Sequence, residues 1–222
     1  MKNKLWIALL LVLVMLFLIT GCKKKAAEVK PVTLKLAETH AADYPTTKGD
    51  QKFADLVKER TNGMVTIEVF HSKQLGEEKA VIEQVQFGAI DFTRVSLGPM
   101  AAFYKPFDAL QMPYLYRNAD HMWKVLNSEI GDRFLNGAKD AGFIGLCWYD
   151  SGARSFYTKT PESNPAELKG MKIRVMQAAI FVNLIESFGA SAQPMPFGEV
   201  YSALQSGVID GAENNWPSYY AT

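Results

Sequence analysis

Apolar residues recur along this chain with two different periods, and the switches between the periods mark its elements. Residues 32–37 form a short β-run. Phe53, Leu56, Val57 and Arg60 then fit one helical face, with Thr61-Asn62-Gly63 as its stop. Residues 64–70 alternate strictly, placing Val65, Ile67 and Val69 on one side of a strand. A helix over 77–87 is closed by Gly88, and a strand over 89–95 comes next. Met122, Leu126, Ile130 and Phe134 repeat at helical spacing, and residues 142–149 read as another apolar strand. Beyond Gly152 come a strand over 172–175 and a helix carrying Phe181, Leu184, Ile185 and Phe188 at i, i+3, i+4 and i+7. A helix over 200–205 and a strand over 208–211 end the series. Strands alternating with helices imply βαβ units, hence an α/β fold with a mostly parallel sheet.

One short pattern occurs twice. Gln86-Phe87-Gly88-Ala89-Ile90-Asp91 and Gln205-Ser206-Gly207-Val208-Ile209-Asp210 share Gln-x-Gly-(Ala/Val)-Ile-Asp, each at a helix end that turns into a strand. Three residues past each Asp stands a charged side chain, Arg94 in one copy and Glu213 in the other. The echo points to two similar α/β units with polar residues at strand carboxyl ends, where open α/β sheets bind ligands.

The amino terminus sets the compartment. Lys2 and Lys4 precede an almost unbroken apolar run over 5–19, and Leu18-Ile19-Thr20-Gly21-Cys22 supplies small residues before a cysteine. That order reads as a secretory signal. A membrane-spanning helix is the alternative, but the run falls short of the roughly 20 residues a span needs. Leu-Ile-Thr-Gly-Cys resembles the lipobox of bacterial lipoproteins, which would make Cys22 the lipidated first residue and a membrane anchor. Residues 23–31 then form a solvated tether. Cys147 is left without a partner, and its apolar neighbours predict a small buried residue on a strand.

Removing Lys2 and Lys4 from 24 basic residues leaves 22 against 23 acidic ones. Such a balance gives no broad electrostatic hold on nucleic acid. Enzyme signatures are missing too: no Gly-x-Ser-x-Gly, no phosphate loop, no His-Glu-x-x-His, and no metal-ligand spacing among His40, His71 and His121. No cofactor is called for. Two arginines in apolar surroundings stand out instead. Arg154 comes after an apolar run and Gly152, and Arg174 lies within a short strand between Ile173 and Val175. A guanidinium holds a carboxylate through two parallel bonds. It can equally pair with an internal acid. Position alone leaves both readings open for Arg174 and favours the internal pair for Arg154.

From Leu34 onward the chain resembles the solute-binding proteins of TRAP transporters, the DctP type. The stretches that carry the likeness include Phe53-Ala54-Asp55-Leu56-Val57, Gln74-Leu75-Gly76-Glu77, Leu168-Lys169-Gly170-Met171-Lys172-Ile173-Arg174-Val175 and the run from Gly198 to Pro217. The resemblance implies a two-domain fold with a ligand cleft between domains over 32–151 and 152–222. It implies that Arg174 grips a ligand carboxylate, Arg154 assists, Asn214 adds a hydrogen bond and Phe197 packs beside the ligand. Thr39, His40, Glu77 and Arg94 lie where the first domain would face the cleft; for Glu77 and Arg94 a structural ion pair is an equal reading. The implied function is capture of a small organic acid for a membrane permease, with a hexuronate first and a four-carbon dicarboxylate second. A sensory binding protein, or a secreted sugar-acid enzyme, would share much of this site. Family members continue well past Thr222, so further residues are expected to complete both domains.

Overall fold

The computed structural model describes residues 30–221; the leader, Cys22 and most of the tether lie outside the described residues. Strand β1 (Val32–Ala37) leads to helix α1 (Pro45–Arg60), strand β2 (Val65–Phe70), helix α2 (Glu78–Gln86) and the short strand β3 (Phe92–Thr93). These strands form a parallel sheet in the order β2-β1-β3, with Val32 opposite Val65 and Leu36 opposite Phe92. Pro45 in the first turn of α1 loses nothing by lacking an N–H there, and Lys58 and Arg60 complement the negative end of the helix. Leu36, Ala54 and Ile67 make the core between sheet and helix.

Helix α3 (Leu97–Met100), a 3-10 turn (Lys105–Gln111) and helices α4 (Ala119–Leu126) and α5 (Glu129–Gly137) come next. The periodicity of Met122, Leu126, Ile130 and Phe134 spans the break between α4 and α5. Ser128 starts the second helix, its Oγ accepting from Ile130 N at 3.2 Å.

The second lobe carries β4 (Arg154–Thr158), β5 (Lys172–Val175), α6 (Ala179–Ser187), β6 (Ser191–Pro194), α7 (Val200–Gln205), β7 (Gly211–Asn215) and α8 (Trp216–Tyr220). Its sheet runs β4-β7-β5-β6, with β4 antiparallel and the rest parallel. Ile173, Val175, Phe181 and Ile185 form its core. Burying each such side chain contributes about 1.5–3 kcal/mol.

The repeated pattern has a structural counterpart. Asp91 Oδ2 accepts from Lys35 N and Asp210 Oδ2 accepts from Lys172 N, each at 2.8 Å. Each aspartate thus ties the turn after a helix to its sheet's central strand, β1 or β5. The order β2-β1-β3 matches β6-β5-β7, so the echo corresponds to two like-wound units.

Four expectations need correction. Residues 142–149 form no strand, and Cys147 is exposed rather than buried. Among the described residues no strand pairs with that backbone, and Ile144 and Leu146 are 74% and 59% exposed. The strand expected over 89–95 shrinks to two residues, because the turn after Gly88 delays pairing with β1. The strand expected over 208–211 starts at Gly211, because Asp210 is spent on the tie to Lys172.

Candidate functional site

In the second lobe, Gly152, at φ +91°, turns the chain into β4, with its N–H donating to Asp150 Oδ1 at 2.7 Å. That turn delivers Arg154 at the head of the strand, opposite Asn215 of β7. Arg154 Nε donates to Glu213 Oε2, and its Nη2 donates to the Glu213 carbonyl at 3.0 Å. The guanidinium also lies over the Phe181 ring, 5.3 Å from its centroid. Glu213 is buried, and its second oxygen accepts from Met176 N at 3.2 Å.

Arg174 projects from β5, the strand beside β7, and is only 2% exposed. Its Nε and Nη2 donate to the Met195 carbonyl at 3.1 and 2.8 Å. Nη1 is buried without a hydrogen-bond partner. Burial pulls the pKa of this guanidinium down, Glu213 opposes that pull, and Arg154 adds to it. A buried cation with a free donor and no carboxylate bound directly to it has the chemistry to accept an anion.

The first lobe arranges its charges differently. Glu38, just past β1, is fully enclosed. Its oxygens accept from Arg94 Nε at 2.5 Å, from Arg94 Nη2, from His40 N at 2.8 Å and from Thr46 Oγ1 at 3.3 Å. Burial would raise the Glu38 carboxyl, but the His40 and Arg94 contacts outweigh it and hold the group well below the usual range. Arg94 Nη1 lies 3.6 Å from Glu78, so the guanidinium is shared between two acids. Asp50 on α1 is buried beside this pair. Burial first and the Glu38 charge second push its carboxyl up to about 7. Burial and the Asp50 charge push the neighbouring Tyr149 phenol up.

Contacts between the lobes close around these groups. The His40 ring stacks on Tyr44 at 3.9 Å and tilts against Phe197 at 4.9 Å. The Tyr44 hydroxyl donates to Asn215 Oδ1 at 3.1 Å and lies 2.9 Å from Ser218 Oγ. Gly198 approaches the Lys73–Glu77 pair so closely that a Cβ would stand 2.1 Å from Lys73 Nζ.

Between the lobes lies a cavity of about 930 Å³. His40, Asp50 and Arg94 line it from the first lobe, and Arg154, Arg174, Phe197 and Asn214 from the second. The remaining wall is mostly apolar, including Leu146 and Trp148 of the unpaired run, with Lys52, Glu78 and Asp91 as further charged members. The cavity therefore brings together six of the eight residues singled out as ligand contacts. Glu77 lines a small recess with Glu78, Arg174 and Phe197, and pairs with Lys73 at 3.6 Å. Thr39 is buried with its hydroxyl unpartnered. For Arg94 the structure shows the internal ion pair, with Glu38 rather than Glu77 as partner. Glu38 and Asp50 were not among the expected site residues. For Asp50 a signal existed: it precedes Phe53, Ala54 and Val57 by three, four and seven positions, which puts an acid on the apolar face of α1.

Comparison with known proteins places this architecture. A solute-binding protein of Chromohalobacter salexigens is 41% identical over 181 residues, covering 81% of this chain and 54% of its own length. A TRAP periplasmic solute-binding protein of Xanthobacter autotrophicus with bound β-D-galacturonate superposes with a TM-score of 0.83 at 47% identity, covering 85% of this chain and 63% of that one. The counterpart from Sulfurospirillum deleyianum, with bound succinate, has a TM-score of 0.82 at 31% identity, over 86% and 62%. This chain thus spans about half the length of the Chromohalobacter protein. Residues 36–222 match the profile of bacterial extracellular solute-binding protein family 7, DctP, and the chain belongs to that family.

Proposed function

We propose that this chain is the binding component of a TRAP-type uptake system, capturing a small organic acid outside the cytoplasm and passing it to membrane permease subunits. The observation that carries this reading is Arg174: buried, facing the cavity, and left with one guanidinium nitrogen unpartnered. A ligand carboxylate would engage Nη1 while Arg154, steadied by Glu213, adds a second positive charge nearby. Asn214 would contribute a hydrogen bond and Phe197 an apolar wall. Closure of lobes 32–151 and 152–222 about the ligand would strip water from the ion pair and strengthen it. A hexuronate fits first, in line with the galacturonate in the Xanthobacter relative, and a four-carbon dicarboxylate second, in line with the succinate in the Sulfurospirillum one. Lipidation of Cys22 would hold the protein at the membrane surface. The ligand would leave chemically unchanged.

Calorimetric titration of the parent against a panel of organic acids, repeated with Arg174→Ala and Arg174→Lys, tests the reading. Removing one partner of a desolvated charge pair costs about 2–5 kcal/mol, so Arg174→Ala should bind tens- to thousands-fold more weakly. Arg174→Lys should also bind poorly, since an ammonium keeps the charge but loses the planar fork. Parent-like affinity in Arg174→Ala would refute the assignment.

A further inference from the structure

The first-lobe side of the cavity holds an ionisable group that the carboxylate grip does not use. Asp50 is 2% exposed, lines the cavity, and has one oxygen, Oδ2, buried without a hydrogen-bond partner. A carboxyl on the apolar face of a helix is costly unless something answers it. The groups around it do so only in part. Glu38 approaches from the end of β1 and is itself negative. Arg94, after β3, is committed to Glu38 and Glu78. From residues 142–149, Tyr149 shares a side-chain hydrogen bond with the Asp50 carboxyl and Cys147 stands near it, while Oδ2 stays unpartnered. Lys52, on the same helix, is exposed.

The two ends of the cavity therefore differ in sign. Arg154 and Arg174 outweigh Glu213 by one positive charge at the second lobe. At the first, Glu38 balances Arg94 and Asp91 balances Lys52, while Glu78 stands between the two ends in the recess beside Arg174, so an ionised Asp50 sets the sign there. A ligand bound by one carboxylate to Arg174 extends its other end toward that negative side. A second carboxylate there meets like charge in a partly dry cavity. A hydroxyl is uncharged, and it can donate to the open lone pairs of Asp50 Oδ2.

We infer that Asp50 is a specificity-determining residue of this cavity: it accepts a hydrogen bond from a ligand hydroxyl and repels a second carboxylate, so the site takes polyhydroxylated monocarboxylates in preference to dicarboxylates. The inference rests on the carboxylate-capture reading above and narrows its ligand class. Because burial and Glu38 push the Asp50 carboxyl up to about 7, its repulsion is switched on as pH rises through neutrality. Discrimination should sharpen in the same direction.

The test is calorimetric titration of the full chain with D-glucuronate and with succinate near about pH 8. The parent should favour glucuronate by at least about tenfold, since like-charge juxtaposition is strongly penalised. Asp50→Asn should weaken glucuronate roughly three- to tenfold through loss of a charge-assisted bond, and strengthen succinate, so that the ratio falls by about tenfold or more. A folded Asp50→Asn protein with the parental ratio overturns the inference. Should that variant fail to fold, the ratio in the unmodified protein decides: it must rise between about pH 6.5 and about pH 8.5, and a flat ratio overturns the assignment. A parent that binds both acids equally defeats the role of Asp50 alone. A parent that binds neither defeats the carboxylate-capture reading along with it.

Discussion

Each lobe buries an arginine near the carboxyl ends of its parallel strands, and the two are treated in opposite ways. Arg94 is gripped by Glu38 through two nitrogens and approached by Glu78, so its charge is answered within its own lobe. Arg174 has only the Met195 carbonyl, while the acid on the adjacent strand, Glu213, is occupied by Arg154 and by Met176 N. Burial of a cation therefore has two outcomes. A compensated pair is a structural post; a buried donor that no internal anion answers is, on the reading proposed above, left open for a ligand carboxylate.

Truncating each arginine in turn should separate the two cases. Arg94→Ala leaves Glu38 buried without its arginine, with only His40 and Thr46 still bound to it, and should cost about 3–5 kcal/mol of folding stability in urea denaturation. Arg174→Met removes a cation whose charge has no direct partner, and should leave stability within about 1 kcal/mol of the parent. Equal losses in the two variants would erase the distinction.

A smaller effect comes from Asp50. Its folded pKa is raised from the ordinary 3.8 to about 7, so between those values the folded chain keeps a proton that the unfolded chain has lost. Stability on this account falls as pH rises through that window, and the full penalty is present above it. Glu38 acts with the opposite sign, stabilising at neutral pH and failing only in strong acid, so it does not cancel the effect in the same range. Asp50→Asn should therefore gain stability on the order of 2–4 kcal/mol at about pH 8 and little at about pH 4. Unfolding midpoints with the same pH slope in both proteins would contradict the assignment.

The smallest expected change sharpens how the lobes are coupled. Tyr44→Phe removes the hydroxyl that joins α1's amino end to Asn215 and Ser218, and keeps the ring stacked on His40. Loss of about 1 kcal/mol is expected. Hydrogen exchange at the amides of β7 and α8 should report it, and unaltered protection would mean that the contact does not bridge the lobes in solution.

Much of the frame was legible in the sequence, because local periodicity decides which residues can share a face. The helix through Phe181, Leu184, Ile185 and Phe188 and the strand carrying Arg174 both emerge from such spacing. Residues 142–149 defeated the same reasoning: an apolar run says that burial is favourable, but only a neighbouring backbone makes it a strand. The site was legible unevenly. Arg174 and Arg154 stand out because cations interrupt apolar sequence. Glu38 could not be assigned, since its role depends on Arg94, 56 residues away. Asp50 was legible in principle, as an acid aligned with Phe53 and Val57.

The aspartates at 91 and 210 carry a consequence for how such a molecule can diversify. Both fasten the same backbone amide in their respective sheets, so each half solves its main-chain geometry before the chain reaches position 94 or 213. Residues downstream of the knot are then free to vary in sign without disturbing the winding beneath it. One half has drawn a cation at that place and the other an anion. A scaffold of two like-wound units can exchange a few side chains past a fixed clasp without rebuilding the sheet beneath.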